Sequence, residues 1–156
     1  MITGFNHVGI TVSEMEKILP FYRDVLGMRV VFHEVLKERE SFRAVTTSAK
    51  GELEIALLRP EGSGDTVELL HYHRDDRKTL GGNNWDIGKM HITFKVDDVE
   101  RTFAELRAKG VEFTSDRPIL FDRTADMNLK AAYFRDPDGN TLEIMEVFKG
   151  VWEPRP

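Results

Sequence analysis

Two segments of the chain begin in the same way, each with a histidine near the start of a strand pattern. Residues 6–12 read Asn-His-Val-Gly-Ile-Thr-Val, and residues 90–96 read Met-His-Ile-Thr-Phe-Lys-Val. The alternation of residue types predicts a β-strand in both segments, with His7 and His91 near the beginning. A helix start follows each predicted strand, so the similarity extends beyond one element. An internal repeat of this kind predicts two copies of one supersecondary unit.

A second pair of matching segments lies further along each half. Residues 65–70 read Asp-Thr-Val-Glu-Leu-Leu, and residues 140–145 read Asn-Thr-Leu-Glu-Ile-Met. When the two segments are aligned on their shared threonine, Glu68 and Glu143 occupy equivalent positions. The second segment follows an Asp-Pro-Asp-Gly sequence at 136–139 that suits a type I turn between two strands. Each half is therefore predicted to run from a His-bearing strand through a helix and further strands to a Glu-bearing strand.

The repeat sets the predicted domain organisation. A chain of 156 residues has room for one domain, or for two small halves that share a core. We predict a single domain over residues 1–156, made of repeats at 4–73 and 89–148. A polar, glycine- and asparagine-containing linker at 74–88 joins them.

Local signals place the two helices and one long loop. Pro20 is expected to begin the main part of the first helix, since a proline inside a helix costs about 3 kcal/mol. Gly27 suits the left-handed position after the end of that helix. Asp97 or Asp98 is expected to cap the second helix. Residues 115–127 are predicted to form a loop broken by a proline.

Composition excludes several function classes. The formal net charge is −5 and no basic cluster stands out, which argues against a nucleic-acid partner. There is no cysteine, so neither a disulfide framework nor a thiolate ligand is expected. No apolar run approaches the length of a membrane span, and the N-terminal region lacks a signal-peptide pattern. We therefore expect a cytoplasmic protein without a membrane partner.

A homodimer is expected from the surfaces that two such repeats leave unpaired. Sheet edges and helix faces are available to a second copy of the chain. Trp152 stands in an otherwise polar tail and suggests a docking contact.

Four residues in matched repeat positions form a candidate metal-ligand set: His7, Glu68, His91 and Glu143. A single histidine near a strand start, or a single strand glutamate, is usually an ordinary surface or core residue. Two imidazoles and two carboxylates in equivalent places point instead to one divalent ion. Such a mixed nitrogen and oxygen set suits Zn, Ni, Co, Mn or Fe(II).

The remaining histidines have no counterpart in the other repeat. They are His33, His71 and His73. Strand alternation also turns His71 away from the face that carries Glu68. These three histidines are therefore predicted to have ordinary structural roles.

The chain resembles the vicinal oxygen chelate superfamily over roughly residues 4–148. The resemblance rests on Phe-Tyr-Arg-Asp-Val-Leu-Gly at 21–27, the turn at 136–139, and the paired His and Glu strands. This superfamily contains glyoxalase I, methylmalonyl-CoA epimerase, extradiol dioxygenases, and fosfomycin and bleomycin resistance proteins. The resemblance implies an α+β fold of two tandem βαβββ modules, which form a cup-shaped mixed sheet around one metal ion. It also implies the four ligands proposed above.

The chemistry expected of such a site is proton transfer on a small carbonyl substrate. A metal ion that binds two adjacent substrate oxygens stabilises an enolate as a Lewis acid. A carboxylate beside it can move the proton, first as base and then as acid. Glu143 is the first candidate and Glu68 the second, because such glutamates combine ligand and proton-transfer roles in the resembling glyoxalases and epimerases. The expected activity is that of a lyase or isomerase.

Three positions depart from the patterns of individual family members. Bacterial glyoxalase I usually has arginine where this chain has Thr11, and asparagine where it has Tyr72. Both departures weaken the case for a glutathione substrate. The epimerases often have glutamine where Glu68 stands.

Two alternatives from other classes remain open. Dioxygenases of this superfamily commonly hold Fe(II) with two histidines and one glutamate. Resistance proteins of this fold sequester a ligand and dispense with the metal. The substrate-pocket walls, expected at residues 37–48 and 114–128, carry no readable specificity code, and the site could lie within one chain or across a dimer.

Overall fold

The computed structural model describes residues 1–37, 51–124 and 127–149. The chain divides into two compact units, Met1–Leu80 and Gly81–Pro156. This division lies within the segment predicted as a linker. Trp152 and most of the predicted pocket wall at 37–48 lie outside the described residues.

The first unit is a four-stranded mixed sheet with one helical segment. Its elements are β1 (Val8–Thr11), α1 (Met15–Pro20), a π-helical turn (Phe21–Val25), β2 (Arg29–Leu36), β3 (Leu53–Arg59) and β4 (Val67–Tyr72). The strand order is β1-β4-β3-β2. β1 and β4 are parallel, and the other neighbouring pairs are antiparallel. The parallel pair is possible because the helical segment provides the long crossover that such strands require.

The second unit repeats this topology. Its elements are β5 (His91–Lys95), α2 (Val99–Ala108), β6 (Ile119–Thr124), β7 (Met127–Arg135) and β8 (Thr141–Lys149). The order is β5-β8-β7-β6, again with the first pair parallel and the others antiparallel. The predicted α+β fold of two βαβββ modules is confirmed. In each sheet the His-bearing strand and the Glu-bearing strand are direct neighbours.

Each unit has its own hydrophobic core. In the first unit, Ile18 and Tyr22 from the helical segment are completely buried, as are Leu58 and Leu69 from the sheet. In the second unit, the fully buried side chains include Val99, Phe134 and Leu142. Burial of one such large apolar side chain contributes roughly 1.5–3 kcal/mol.

The helical segment of the first unit passes through Pro20 without a break. Pro20 is the last residue of α1, and Phe21–Val25 continue as a π-helical turn. Proline lacks an amide hydrogen and cannot donate to the carbonyl four residues earlier, yet Pro20 has helical backbone angles and the helical segment continues beyond it. The expectation that the main helix begins at Pro20 was therefore wrong. Gly27 has φ of 73°, the left-handed conformation expected after the end of the helix.

Asp98 provides the cap of α2. Its side chain accepts a hydrogen bond from the Arg101 amide at 2.9 Å, which satisfies one of the free amides of the first turn. The choice between Asp97 and Asp98 is therefore decided in favour of Asp98. Among the described residues, no helix has both the length and the apolar character that crossing a membrane requires.

The predicted loop at 115–127 is wrong, because Ile119–Thr124 form strand β6. Pro118 comes directly before this strand and does not interrupt it. β6 is an edge strand, and three consecutive residues, Ile119, Leu120 and Phe121, are exposed. Because both faces of this strand reach solvent, its sequence lacks the alternation from which a strand is recognised.

Candidate functional site

The first half-site joins the start of β1 to β4. Parallel pairing sets Gly9 opposite Glu68, and His7 directly precedes β1. The His7 Nε2 atom lies 3.3 Å from Glu68 Oε2. A Cβ atom at Gly9 would lie 3.4 Å from that same carboxylate oxygen. Gly9 therefore lies directly beside the Glu68 carboxylate.

Asn6 holds the His7 ring from the other side. Asn6 Oδ1 and His7 Nδ1 are 2.8 Å apart. An amide oxygen can only accept, so Nδ1 is the donor in this contact. Metal-binding histidines are commonly held in this way through the nitrogen that does not bind the ion. The ring is thus oriented with Nε2 toward Glu68.

The second half-site joins β5 to β8. His91 begins β5, and its Nε2 atom lies 3.5 Å from Glu143 Oε2. Thr93, two residues further along β5, pairs with Glu143 in the sheet. The Thr93 hydroxyl donates a hydrogen bond of 2.5 Å to Glu143 Oε2. The ring of Tyr133 contacts the His91 ring edge to face, with 5.3 Å between centroids.

Glu143 is almost completely buried, with 3% of its surface exposed. A buried carboxylate is costly unless polar groups or a cation compensate its charge. Thr93 provides one hydrogen bond. Burial, and after it the negative charge of Glu143, raise the pKa of Tyr133. Tyr133 therefore keeps its phenolic hydrogen at neutral pH beside the carboxylate.

The two half-sites differ at the repeat position two residues after the histidine. Thr93 in the second unit corresponds to Gly9 in the first, and both lie opposite the site glutamate in the sheet. Glu143 is held by a hydroxyl group, whereas Glu68 faces a residue without a side chain. Burial, and then the charge of Glu68, raise the pKa of Tyr72. Each glutamate therefore has a neutral tyrosine beside it, but only Glu143 has a hydroxyl from the His strand.

The spacing within each half-site fits a shared metal ion. Bonds of about 2.0–2.2 Å at tetrahedral angles put neighbouring ligand atoms roughly 3.3–3.6 Å apart. The nitrogen–oxygen distances of 3.3 Å and 3.5 Å fall in this range. The structure therefore brings each predicted histidine to its predicted glutamate within its own unit.

A family model described as Glyoxalase/Bleomycin resistance protein/Dioxygenase superfamily matches residues 4–144. The chain belongs to this superfamily. The match includes both histidines and both glutamates of the half-sites.

Relatives within the superfamily include proteins with named activities. The chain is 31% identical over 140 residues to the uncharacterized protein YraH of Bacillus subtilis, covering 90% of this chain and 95% of YraH. It is 30% identical to a lactoylglutathione lyase of Schizosaccharomyces pombe, covering 90% of this chain but only 46% of the lyase. It is 29% identical to a 2-epi-5-epi-valiolone epimerase of an Actinomyces species, covering 94% of this chain and 80% of the epimerase.

A solved structure supports the same fold. A glyoxalase family protein from Bacillus cereus superimposes with a TM-score of 0.74 at 16% sequence identity. The alignment covers 94% of this chain and 95% of that protein. At this identity the likeness establishes the fold, and it agrees with the superfamily assignment.

Sequence reasoning missed a cluster of polar side chains around Glu54 in the first unit. The structure gathers the three remaining histidines, His33, His71 and His73, around this glutamate. Ligand atoms of Glu54, His71 and His73 all lie within 4.8 Å of one another, a grouping able to hold a metal ion. The repeat gave no sign of these residues, because the second half of the sequence has no histidine other than His91. The cluster depends on the pairing of β2, β3 and β4, which the sequence alone did not reveal.

Proposed function

We propose that this chain is a divalent-metal-dependent enzyme of glyoxalase or epimerase type, a lyase or isomerase that moves a proton on a carbonyl substrate. The observation that carries the proposal is the repeated arrangement of one imidazole and one carboxylate at ligand spacing. The proposed ligands of the ion are His7, Glu68, His91 and Glu143. The superfamily match and the named lyase and epimerase support this class of activity.

The ion and its protein ligands have different roles in the proposed reaction. When bound, a divalent ion acts as a Lewis acid that polarises the substrate carbonyl. The two carboxylates offset its charge. Zn, Ni, Co, Mn and Fe(II) all accept such ligands.

Glu143 is the proposed principal base. It takes the proton from the carbon next to the carbonyl and returns it to a carbon of the same substrate. The Thr93 hydroxyl donates a hydrogen bond to Oε2, which fixes the orientation of the carboxylate. Burial strengthens the interactions of this carboxylate because water screens them less. Glu68 is the proposed second base.

The substrate class follows from the departures at two positions. Thr11 and Tyr72 stand where bacterial glyoxalase I has its arginine and asparagine for glutathione. We therefore propose a small carbonyl compound with two adjacent oxygens, such as a 2-oxoaldehyde adduct or a 2-acyl thioester, without a required glutathione group.

Solvent exchange tests the proposed chemistry. Metal-free protein is supplied separately with Zn, Ni, Co, Mn or Fe(II) in deuterated water without oxygen, together with 2-oxoaldehyde adducts and 2-acyl thioesters. The proposal predicts deuterium at the carbon next to the carbonyl. Activity that appears only with Fe(II) and O₂, without anaerobic exchange, would replace the proposal with a dioxygenase.

The Thr93 hydroxyl is expected to act as a positioning group for Glu143. Thr93→Val removes the hydrogen bond while keeping the side-chain shape, so metal affinity should fall about 10–100-fold. Thr93→Ser keeps the hydroxyl and should restore the affinity. Metal titration followed by the change in melting temperature measures both variants. Equal affinity in the valine and serine variants would show that the hydroxyl does not position the ligand.

A further inference from the structure

A second group of potential metal ligands lies on the first sheet, on the other face from the one that carries the Glu68 side chain. Glu54 on β3 and His71 on β4 are direct partners in the antiparallel ladder. Residues 69, 71 and 73 alternate to one side of β4, while residues 68, 70 and 72 alternate to the other. The Glu54 cluster, defined as Glu54, His71 and His73 with His33 beside them, is therefore separate from the half-site at Glu68.

The two oxygens of Glu54 have different partners. His33 Nε2 lies 2.7 Å from Oε1 and is hydrogen-bonded to it. The other oxygen, Oε2, lies 3.4 Å from His71 Nδ1 and 3.6 Å from His73 Nε2. His33 thus orients the carboxylate so that Oε2 points toward the two remaining imidazoles.

His71 Nδ1 is a buried nitrogen that needs a partner. Among the described residues, none makes a hydrogen bond to this atom, although Glu54 Oε2 is close. A buried polar atom without a partner destabilises the folded state. A cation bound between Glu54, His71 and His73 would satisfy it. The His71 and His73 rings are also close to each other, with 4.3 Å between their centroids.

The distances from Glu54 Oε2 to the two histidine nitrogens match those around a tetrahedral ion. Zinc bonds of about 2.0–2.2 Å place adjacent donor atoms roughly 3.3–3.6 Å apart, and the two oxygen–nitrogen distances are 3.4 Å and 3.6 Å. Two imidazoles and one carboxylate suit Zn²⁺ and leave one coordination position for water.

We infer that Glu54, His71 and His73 form a second metal site that binds Zn²⁺, on the opposite face of the sheet from Glu68. Its ligands are Glu54 Oε2, His71 Nδ1 and His73 Nε2, with His33 as the group that orients the carboxylate. The ion links β3, β4 and the residue that follows β4, and so stabilises the end of the first unit. The side chain of His73 is 40% exposed, which gives the ion a route of entry.

Zinc stoichiometry in the full-length chain tests this inference. Metal-free protein is dialysed against Zn²⁺, and bound zinc is measured by elemental analysis. Wild-type protein is expected to bind about two ions per chain, one at each proposed site. His73→Ala should bind about one, and Glu34→Gln, an exposed control on β2, should bind as many as wild type. Wild-type stoichiometry and affinity in His73→Ala would overturn the inference.

A matched variant separates this inference from the proposed function. His91→Ala should remove the ion of the four-ligand site but keep the ion of the Glu54 cluster, and His73→Ala should do the reverse. If wild type binds one ion that is lost only in His91→Ala, the second site does not exist. If wild type binds one ion that is lost only in His73→Ala, the second site stands and the four-ligand site fails.

Imidazole resonances give a second measurement that does not depend on the behaviour of His73→Ala. In nitrogen-15 spectra of His91→Ala, added Zn²⁺ should shift the ring signals of His71 and His73 together. Unchanged ring signals at saturating Zn²⁺ would also overturn the inference.

Discussion

Replacing Glu143 with glutamine is expected to lower turnover on the order of 10²- to 10⁴-fold, the usual contribution of a general base. Glutamine keeps the size of the side chain and one oxygen, but it removes the basic carboxylate. The Thr93 hydroxyl can still donate to the amide oxygen. The substitution therefore tests the proton-transfer role with little change in packing. Deuterium incorporation into a 2-oxoaldehyde adduct measures the loss.

Two further variants serve as a control and a comparison for Glu143→Gln. Glu112→Gln changes an exposed carboxylate of the same unit and should keep wild-type turnover. Glu68→Gln should lower turnover less than Glu143→Gln if Glu143 is the principal base. Full activity of Glu143→Gln with metal bound would remove Glu143 from the proton-transfer step. A larger loss in Glu68→Gln would reverse the two roles.

Replacing His91 with alanine is expected to abolish metal binding at the four-ligand site. Losing an outer partner of a metal ligand already weakens binding about 10–100-fold, so losing a ligand should cost at least that much. The remaining Glu143 carboxylate would also stay buried next to an empty position, at 3% exposure. Bound metal, measured after dialysis at limiting free metal, should fall by about one equivalent per chain.

The repeat offers matched controls for this loss. His7→Ala should lower bound metal as much as His91→Ala, because the two histidines hold equivalent places in their sheets. Lys95→Ala changes an exposed residue of the same strand β5 and should leave metal content unchanged. Circular dichroism should show the same secondary structure in all three variants. Undiminished metal occupancy in His91→Ala would contradict the ligand assignment.

The strands that carry the half-sites could be predicted from the sequence because each pattern occurs twice, once in each repeat. A histidine before an alternating segment and a glutamate inside another recur in both halves, so the chance of coincidence fell. Parallel pairing then made neighbours of strands far apart in the chain, with Gly9 opposite Glu68 and Thr93 opposite Glu143. The roles of Asn6 and Thr93 depended on this register, which the sequence pattern does not encode.

Other features were not predicted, because they depend on tertiary structure and not on the local sequence pattern. Pro20 has helical backbone angles and the helical segment continues beyond it as a π-helical turn, although proline lacks the amide hydrogen of a helical residue. Strand β6 exposes three consecutive apolar residues at a sheet edge, so periodicity gave no sign of it. The Glu54 cluster arises from three strands of one sheet, and only the pairing of those strands brings its histidines together.

Anomalous diffraction from crystals of the zinc-loaded protein with a substrate analogue would locate the ion of the four-ligand site. We expect an ion within about 2.0–2.2 Å of ligand atoms from His7, Glu68, His91 and Glu143 together, with the analogue oxygens in its open positions. An ion held by only one histidine–glutamate pair, or no ion at either pair, would rule out the four-ligand assignment.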